Sequence, residues 1–406
     1  MSNTQLQQKV IRTLATAQVL NGLGVAGTVA AGSLLVSSVS NSETLAGLAQ
    51  TSSVLGAAAL ALPLARLTQI GGRRLALSMG LILGVIGSLL VISGGLNENL
   101  YLILLGTFLV GAASASGYQA RFAAIDLATS QRSSQQLSFV VWGSTIGAVA
   151  GPNLMQPSGD FARKLGFPEL VGPYFISAIT LTLAAAVILI FLRPDPYLTA
   201  NKLSSEKQKQ ITNKLALKHI LGNKLARFAI AAIAVGHVAM VSVMVMTPIH
   251  MAHVDVTLRI IGIVISIHVL GMYAFSPVVG LVSDRIGGVA TIKIGLATLL
   301  ISSVIAGTSP AGDAIRLGVG LFLLGLGWSC TLIAGSTLLS QSVELNFKSA
   351  SQGASDLVMN LAGAGGGAVA GVIIATLSYG WLCLIASIPV AYLALTSLKL
   401  KPGLLK

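Results

Sequence analysis

The chain has 406 residues, of which 54% are hydrophobic and 9% are charged, and its mean hydropathy is +0.85. Soluble domains carry about 25% charged residues, so this composition excludes an ordinary soluble protein. The formal net charge of +13 would suit a nucleic-acid-binding protein, but its distribution along the chain favours another explanation. The polar start MSNTQLQQKVIRT lacks the pattern of a cleavable signal peptide.

Apolar stretches of about 20 residues, the length that crosses a bilayer as a helix, recur along the whole chain. They predict an all-α membrane protein with twelve transmembrane helices and no enzymatic centre. The predicted spans are 13–38, 44–67, 75–93, 99–127, 136–155, 172–193, 226–249, 257–281, 288–307, 314–340, 351–376 and 379–398.

A polar segment between the sixth and seventh spans, RPDPYLTANKLSSEKQKQITNK, divides the chain. We predict an N-terminal six-helix half (1–193), a basic cytoplasmic linker (194–225) and a C-terminal six-helix half (226–406). The sequence GAVAG recurs in the fifth span of each half, and a glycine-rich turn follows the second span of each half. Two related halves joined by a basic loop are typical of an alternating-access transporter.

Basic residues concentrate on one side of the predicted spans. Segment 193–227 alone has eight of them, against Asp195 and Glu206. This asymmetry predicts that both termini and the linker are cytoplasmic. It also predicts that the positive charge contacts anionic membrane lipid rather than nucleic acid.

The turn after the eighth span, GLVSDRIGG (280–288), resembles the cytoplasmic loop motif of the major facilitator superfamily. Its motif residues are Gly280, Asp284 and Arg285. We expect Asp284 to lie against a helix N-terminus and Arg285 to pair with a carboxylate, so that both stabilise one conformer. Alternatively, they are ordinary loop residues.

The first-half copy of this motif, ARLTQIGGRR, keeps Arg73 and Arg74. It has Thr68 or Gln69 where the family has an acidic residue. The resemblance therefore implies weaker charge contacts in this half.

Methionine and histidine cluster around the seventh and eighth spans: four of the five histidines and five of the nine methionines fall between residues 237 and 272. His237, Met240 and Met244 are spaced to form one stripe on the seventh span, and His268 and Met272 share a face of the eighth. Thioethers and imidazole are neutral, soft ligands that suit cuprous copper, whereas a carboxylate is costly at this depth. The alternative is that these side chains only fill the core.

The pairs Met240-x-x-x-Met244 and His268-x-x-x-Met272 resemble those of the CcoA-like copper transporters, a branch of the major facilitator superfamily. The resemblance implies copper import across the bacterial inner membrane, for assembly of a haem–copper oxidase. It implies that these four residues are the metal ligands, that copper is substrate rather than a permanent cofactor, and that a cytoplasmic copper chaperone is a partner. We expect a monomer.

Two further groups of residues are candidates for supporting roles. His250, Met251 and His253 follow the seventh span, where they could collect copper from the periplasm or simply be solvated. Arg121, Asp126 and Asp356 are charges within or bordering spans, which by default suggest function. We expect structural ion pairing; carriage of a coupling proton by Asp356 is the alternative. Cys330 could relay copper inward, or be an inert core residue.

Other functions remain open at this point. GAVAGP (147–152) resembles the core of a motif associated with drug/proton antiporters, which would predict export of small hydrophobic cations. Relatives of the copper transporters that lack the Met and His pairs import an organic nutrient such as riboflavin. A non-transporting membrane scaffold is a further alternative.

Overall fold

The computed structural model describes residues 3–42, 45, 47–203, 213–252 and 258–400. The part of the chain that it describes is almost entirely helical and contains no β-strand. The helices are α1 (Asn3–Ser40), α2 (Gly47–Leu96), α3 (Leu100–Ala123), α4 (Ser133–Asn153), α5 (Met155–Lys164), α6 (Gly172–Phe191), α7 (Pro196–Leu203), α8 (Asn213–Gly222), α9 (Lys224–Ala252), α10 (Leu258–Val269), α11 (Ser276–Ile286), α12 (Gly288–Gly307), α13 (Ala314–Ser342), α14 (Leu345–Thr376) and α15 (Tyr379–Ser397).

Helix α2 is long enough to cross a membrane twice. A straight helix of its 50 residues would be about 75 Å long, more than twice the thickness of a bilayer core. The helix is interrupted at Gly72, whose φ of +82° and ψ of 179° are non-helical. Gly287 (φ +90°) lies at the matching turn between α11 and α12. Since Gly72 separates the predicted second and third spans, α2 supplies both.

The number of spans agrees with the prediction. By length and composition, ten described helices could cross a membrane, and the pair α4 and α5, bent by 56°, adds an eleventh. Counting α2 twice gives twelve, as the sequence predicts.

Several helices extend beyond their apolar segments. α1 begins at Asn3, ten residues before the predicted span, and polar side chains hold this extension. Gln7 Nε2 donates to the carbonyl oxygen of Ala124 at 2.6 Å, and Lys9 Nζ donates to that of Arg193 at 2.8 Å. Hydropathy marks only the part of a helix that lies in lipid, so it misses such extensions and the short helices α5, α7 and α8.

The chain forms two compact units. The N-unit comprises 1–128, 143–213 and 352–357, and the C-unit comprises 129–142, 214–351 and 358–406. Within the N-unit, α1 packs closely against α4, with Gly22 on Gly147 and Gly27 on Gly151. The GAVAG segment of α4 therefore serves close helix packing.

Within the C-unit, α13 is the central helix. Within an apolar stretch of 18 residues of α13, 78% of the residues are buried, the largest share among the candidate spans. α9, α10 and α12 all pack against it, so the relative positions of α9 and α10 can be established from their contacts with α13.

Candidate functional site

The four predicted copper ligands lie in the C-unit, and three of them are buried. The exposed fractions are 4% for Met240, 0% for His268 and 6% for Met272, while Met244 is half-buried. Met240, His268 and Met272 therefore face protein rather than lipid.

Contacts with α13 place the two helices along a common axis. α9 runs antiparallel to α13, since Ile233 lies next to Gly335, Gly236 next to Thr331 and His237 next to Trp328. α10 runs parallel to α13, since Ile267 lies next to Gly318, His268 next to Leu321 and Gly271 next to Phe322.

The four ligand positions consequently lie at matching depths. Met240 is three residues past His237, about 4.5 Å further along α9, which brings it level with Gly325. The backbone nitrogen of Met272 also lies beside Gly325. Met244, one turn further along α9, is level with Leu321, the residue that His268 contacts. Along the axis of α13, Met240 is thus level with Met272, and Met244 is level with His268.

One nitrogen of the His268 imidazole forms a hydrogen bond, and the other nitrogen forms none among the described residues. Nδ1 lies 2.8 Å from the carbonyl oxygen of Leu321. A carbonyl can only accept, so Nδ1 carries the proton and the neutral ring has its lone pair on Nε2. Nε2 is buried and has no hydrogen-bond partner among the described residues. Metal-binding histidines characteristically donate their second ring N–H to such an acceptor.

Met272 lies in a short π-helical segment, Leu270–Ala274, between α10 and α11. π-Helical turns inside α-helices are frequent at functional sites. The segment packs tightly on α13: a Cβ at Gly325 would lie 2.5 Å from the His268 carbonyl oxygen and 2.7 Å from the Met272 nitrogen. Glycine at 325 therefore lets the backbone of His268 and Met272 approach α13 closely.

His237 is bound to a residue that sequence reasoning missed. The indole Nε1 of Trp328 donates to His237 Nδ1 at 3.0 Å, and both side chains are buried. The Trp328 ring also contacts Tyr273 edge to face, with centroids 5.7 Å apart. A tryptophan inside a predicted span was the available signal, but its partners depend on helix packing.

Other metal-binding combinations are scarce. Over the described ranges, no group of three or more His, Cys, Asp or Glu side chains could hold a metal ion. Cys330 lies buried on α13 against Gly295 of α12. Cys383 lies buried against Gly307, and its side chain forms a hydrogen bond with that of Tyr379. A soft site in this unit therefore depends on methionine and histidine.

Of the three residues predicted to form a periplasmic entry site, the structure describes two, His250 and Met251. The ring of His250 stacks on Tyr379 at 4.2 Å, and its Nε2 lies 3.4 Å from the carbonyl oxygen of Ser309. Met251 is 0% exposed, and His253 is outside the described residues. Collection of copper at this end remains a prediction.

The motif turn of the C-unit holds the start of α4. Asp284 accepts hydrogen bonds from the backbone nitrogens of Ser134 and Gln135, both at 2.9 Å. Gly280 is buried against the same turn, where a Cβ would lie 2.7 Å from the Ser134 carbonyl oxygen. Arg285 is exposed and forms no ion pair with any described residue, so its expected carboxylate partner is not found among them.

Arg73 is fully buried rather than a surface loop residue. Its guanidinium forms two hydrogen bonds with the Asp126 carboxylate, at 2.7 and 3.1 Å. It also donates to Gln119 at 3.1 Å and Gln352 at 2.7 Å. Bidentate pairing of this kind fixes both side chains.

Arg74 and Arg121 make two further contacts with carboxylates in the N-unit. The backbone nitrogen of Arg74 donates to Asp195 at 2.7 Å. Arg121 pairs with Asp356 at 2.5 Å, and Gln119 donates to the same carboxylate at 2.7 Å. The first-half motif therefore has carboxylate contacts after all, since Asp126 and Asp195 come from elsewhere in the chain.

Comparison with known proteins places the chain among transporters. The model of the Major Facilitator Superfamily matches residues 14–367. YdeG, an uncharacterized MFS-type transporter of Bacillus subtilis, is 35% identical over 385 residues, covering 94% of this chain and 90% of YdeG. YddS, described in the same way from the same organism, is 33% identical and covers 92% and 87%. The riboflavin transporter RfnT of Brucella anthropi is 26% identical over 359 residues, covering 88% and 87%.

Solved structures share the fold at low sequence identity. The E. coli fucose:proton symporter FucP (N162A) superposes with a TM-score of 0.73 at 15% identity, covering 96% of this chain and 98% of FucP. A bacterial homologue of the iron transporter ferroportin, in an outward-facing state, gives 0.73 at 13% identity over the same shares.

Proposed function

The chain belongs to the major facilitator superfamily and is a multi-pass membrane transporter, and we propose that its substrate is copper. In this proposal copper is imported across the bacterial inner membrane by alternating access and supplied to haem–copper oxidase assembly. The proposed ligands are Met240, Met244, His268 and Met272.

The observation that carries the proposal is the state of His268. Its Nε2 lone pair lies in a fully buried place without a hydrogen-bond partner among the described residues. A buried polar atom left unpaired costs about 1–3 kcal/mol, so its presence calls for an explanation. A copper ion on Nε2 would satisfy it, and the Leu321 carbonyl already orients the ring for that purpose.

The neighbouring side chains favour a soft, singly charged ion. Met240 and Met272 provide thioether sulfurs, which select cuprous copper over hard cations. Neither side chain needs to lose a proton to bind. Uncharged donors also hold the ion less tightly than thiolates would, which a transporter requires for release.

The test is uptake of radiolabelled copper into cells, normalised to transporter abundance in the membrane. We expect His268→Gln to reduce the rate at least tenfold, because glutamine can still donate to Leu321 but has no imidazole lone pair. We expect Met240→Leu and Met272→Leu to reduce it similarly.

Met246→Leu is the matched control for the two methionine variants. Met246 is also buried on α9 but lies outside the stripe that contains Met240. It should therefore transport like the wild type. Undiminished uptake by His268→Gln at equal abundance would refute the proposal.

Riboflavin import is the second candidate, favoured by the 26% identity to a riboflavin transporter. The two candidates separate in one experiment. If riboflavin is the substrate, the chain will restore growth of a riboflavin auxotroph at low riboflavin, and His268→Gln will have no effect on that growth. We expect no rescue.

A further inference from the structure

Neither nitrogen of His237 is available to a metal ion in this structure. The indole of Trp328 can only donate a hydrogen bond, so His237 Nδ1 accepts it at 3.0 Å with its lone pair. In the neutral ring the proton then resides on Nε2. His237 thus differs from His268, whose Nε2 lone pair is not engaged.

His237 is nevertheless close to the proposed ligands. It precedes Met240 by one helical turn on the same stripe of α9. Trp328, its hydrogen-bond donor on α13, also contacts Tyr273. Tyr273 directly follows Met272 in the π-helical segment. The indole therefore contacts both segments that carry the proposed ligands.

On the basis of the proposed copper function, we infer that Trp328 is a positioning residue that withholds His237 from the copper ion. With Trp328 in place, the ion has one imidazole, that of His268. If the indole N–H were absent, the Nδ1 lone pair of His237 would become a second nitrogen ligand. Trp328 thereby keeps the affinity low enough for copper to leave.

The test is titration of purified transporter with cuprous copper in competition with a chromophoric copper(I) chelator. Trp328→Phe keeps an aromatic side chain of smaller volume and removes the N–H donor, so it should bind copper about tenfold more tightly than the wild type. His237→Ala should bind within threefold of the wild type. The double variant should lose the gain shown by Trp328→Phe.

The sign of the effect separates this role from a structural one. Damage to packing by Trp328→Phe would weaken binding, as would loss of a true ligand in His237→Ala. Either result, or a double variant that retains the tighter binding, would overturn the inference.

X-ray absorption spectroscopy of the copper complex supplies a second readout. The wild type and His237→Ala should each show one imidazole, and Trp328→Phe should show two. If Trp328→Phe does not fold, the first two spectra still decide, because loss of an imidazole in His237→Ala would refute the inference. Failure of the copper function itself would look different: the wild type would bind no copper, or His268→Gln would bind as the wild type does.

Discussion

Arg121 and Asp356 are almost completely buried, with exposed side-chain fractions of 2% and 1%. Their charges compensate each other, and Gln119 satisfies the second carboxylate oxygen. The geometry suits structural pairing, the alternative to proton carriage considered for Asp356. When one member of a buried ion pair is removed, the remaining charge is left uncompensated, at a cost of about 3–5 kcal/mol.

Asp356→Asn should therefore lower the thermal stability of the detergent-solubilised protein by several degrees or more. The double variant Arg121→Gln/Asp356→Asn, which leaves no unpaired charge, should recover part of the loss. A thiol-reactive fluorophore can follow unfolding, because Cys330 and Cys383 are both free and buried. Asp160→Asn, in an exposed pair with Arg163, should have little effect. Equal melting temperatures for Asp356→Asn and Asp160→Asn would contradict this account.

The sequence shows which individual charged residues are unusual, but it does not show which side chains they contact. Charges in apolar segments identify Arg121, Asp126 and Asp356 as notable. Arg73, however, follows a glycine pair in what looks like a surface turn. Its burial depends on the non-helical conformation of Gly72. It also depends on tertiary packing, since the turn after α3 brings Asp126 to it and α14 brings Gln352.

Among the helices, α4 begins at a point that another helix fixes. The carboxylate of Asp284, near the end of α11, caps the backbone N–H groups of Ser134 and Gln135. A negative charge at a helix N-terminus is stabilising, and loss of a capping side chain costs about 1–2 kcal/mol.

Asp284→Ala should consequently accelerate local opening of the first turn of α4, because alanine has no side-chain acceptor. A change of 1–2 kcal/mol corresponds to roughly a factor of 5–30 in the opening equilibrium. Hydrogen–deuterium exchange measured on peptides covering 130–140 should show this increase. Arg285→Gln, adjacent but exposed, is the control and should exchange like the wild type. An unchanged rate in Asp284→Ala would show that the cap contributes nothing.

Helix positions follow from the sequence where an apolar stretch of membrane-spanning length determines them. The predicted ninth span, 288–307, coincides with α12. The tenth, 314–340, begins with α13 and ends two residues before the end of that helix. The π-helical segment around Met272 has no comparable signal, because its backbone depends on close packing between Gly271 and α13. The same holds for Trp328, whose hydrogen bond to His237 joins residues 91 positions apart.

For the whole molecule, the position of every loop relative to the membrane depends on how often α2 crosses it. A single crossing would reverse all later spans, whereas two crossings leave both termini on one side. The basic linker favours two crossings with cytoplasmic termini. The break at Gly72 is where the chain would return from the cytoplasmic face.

Single cysteines along α2 test this topology in intact cells. Ile70, two residues before the break, is 62% exposed, and Asn97, directly after the helix, is also exposed. We expect a membrane-impermeant maleimide to label Asn97→Cys in intact cells, and to label Ile70→Cys only after the membrane is permeabilised. The wild type, whose cysteines are buried, provides the background. Labelling of both variants from outside would contradict the cytoplasmic turn at Gly72 and the orientation predicted from the basic residues.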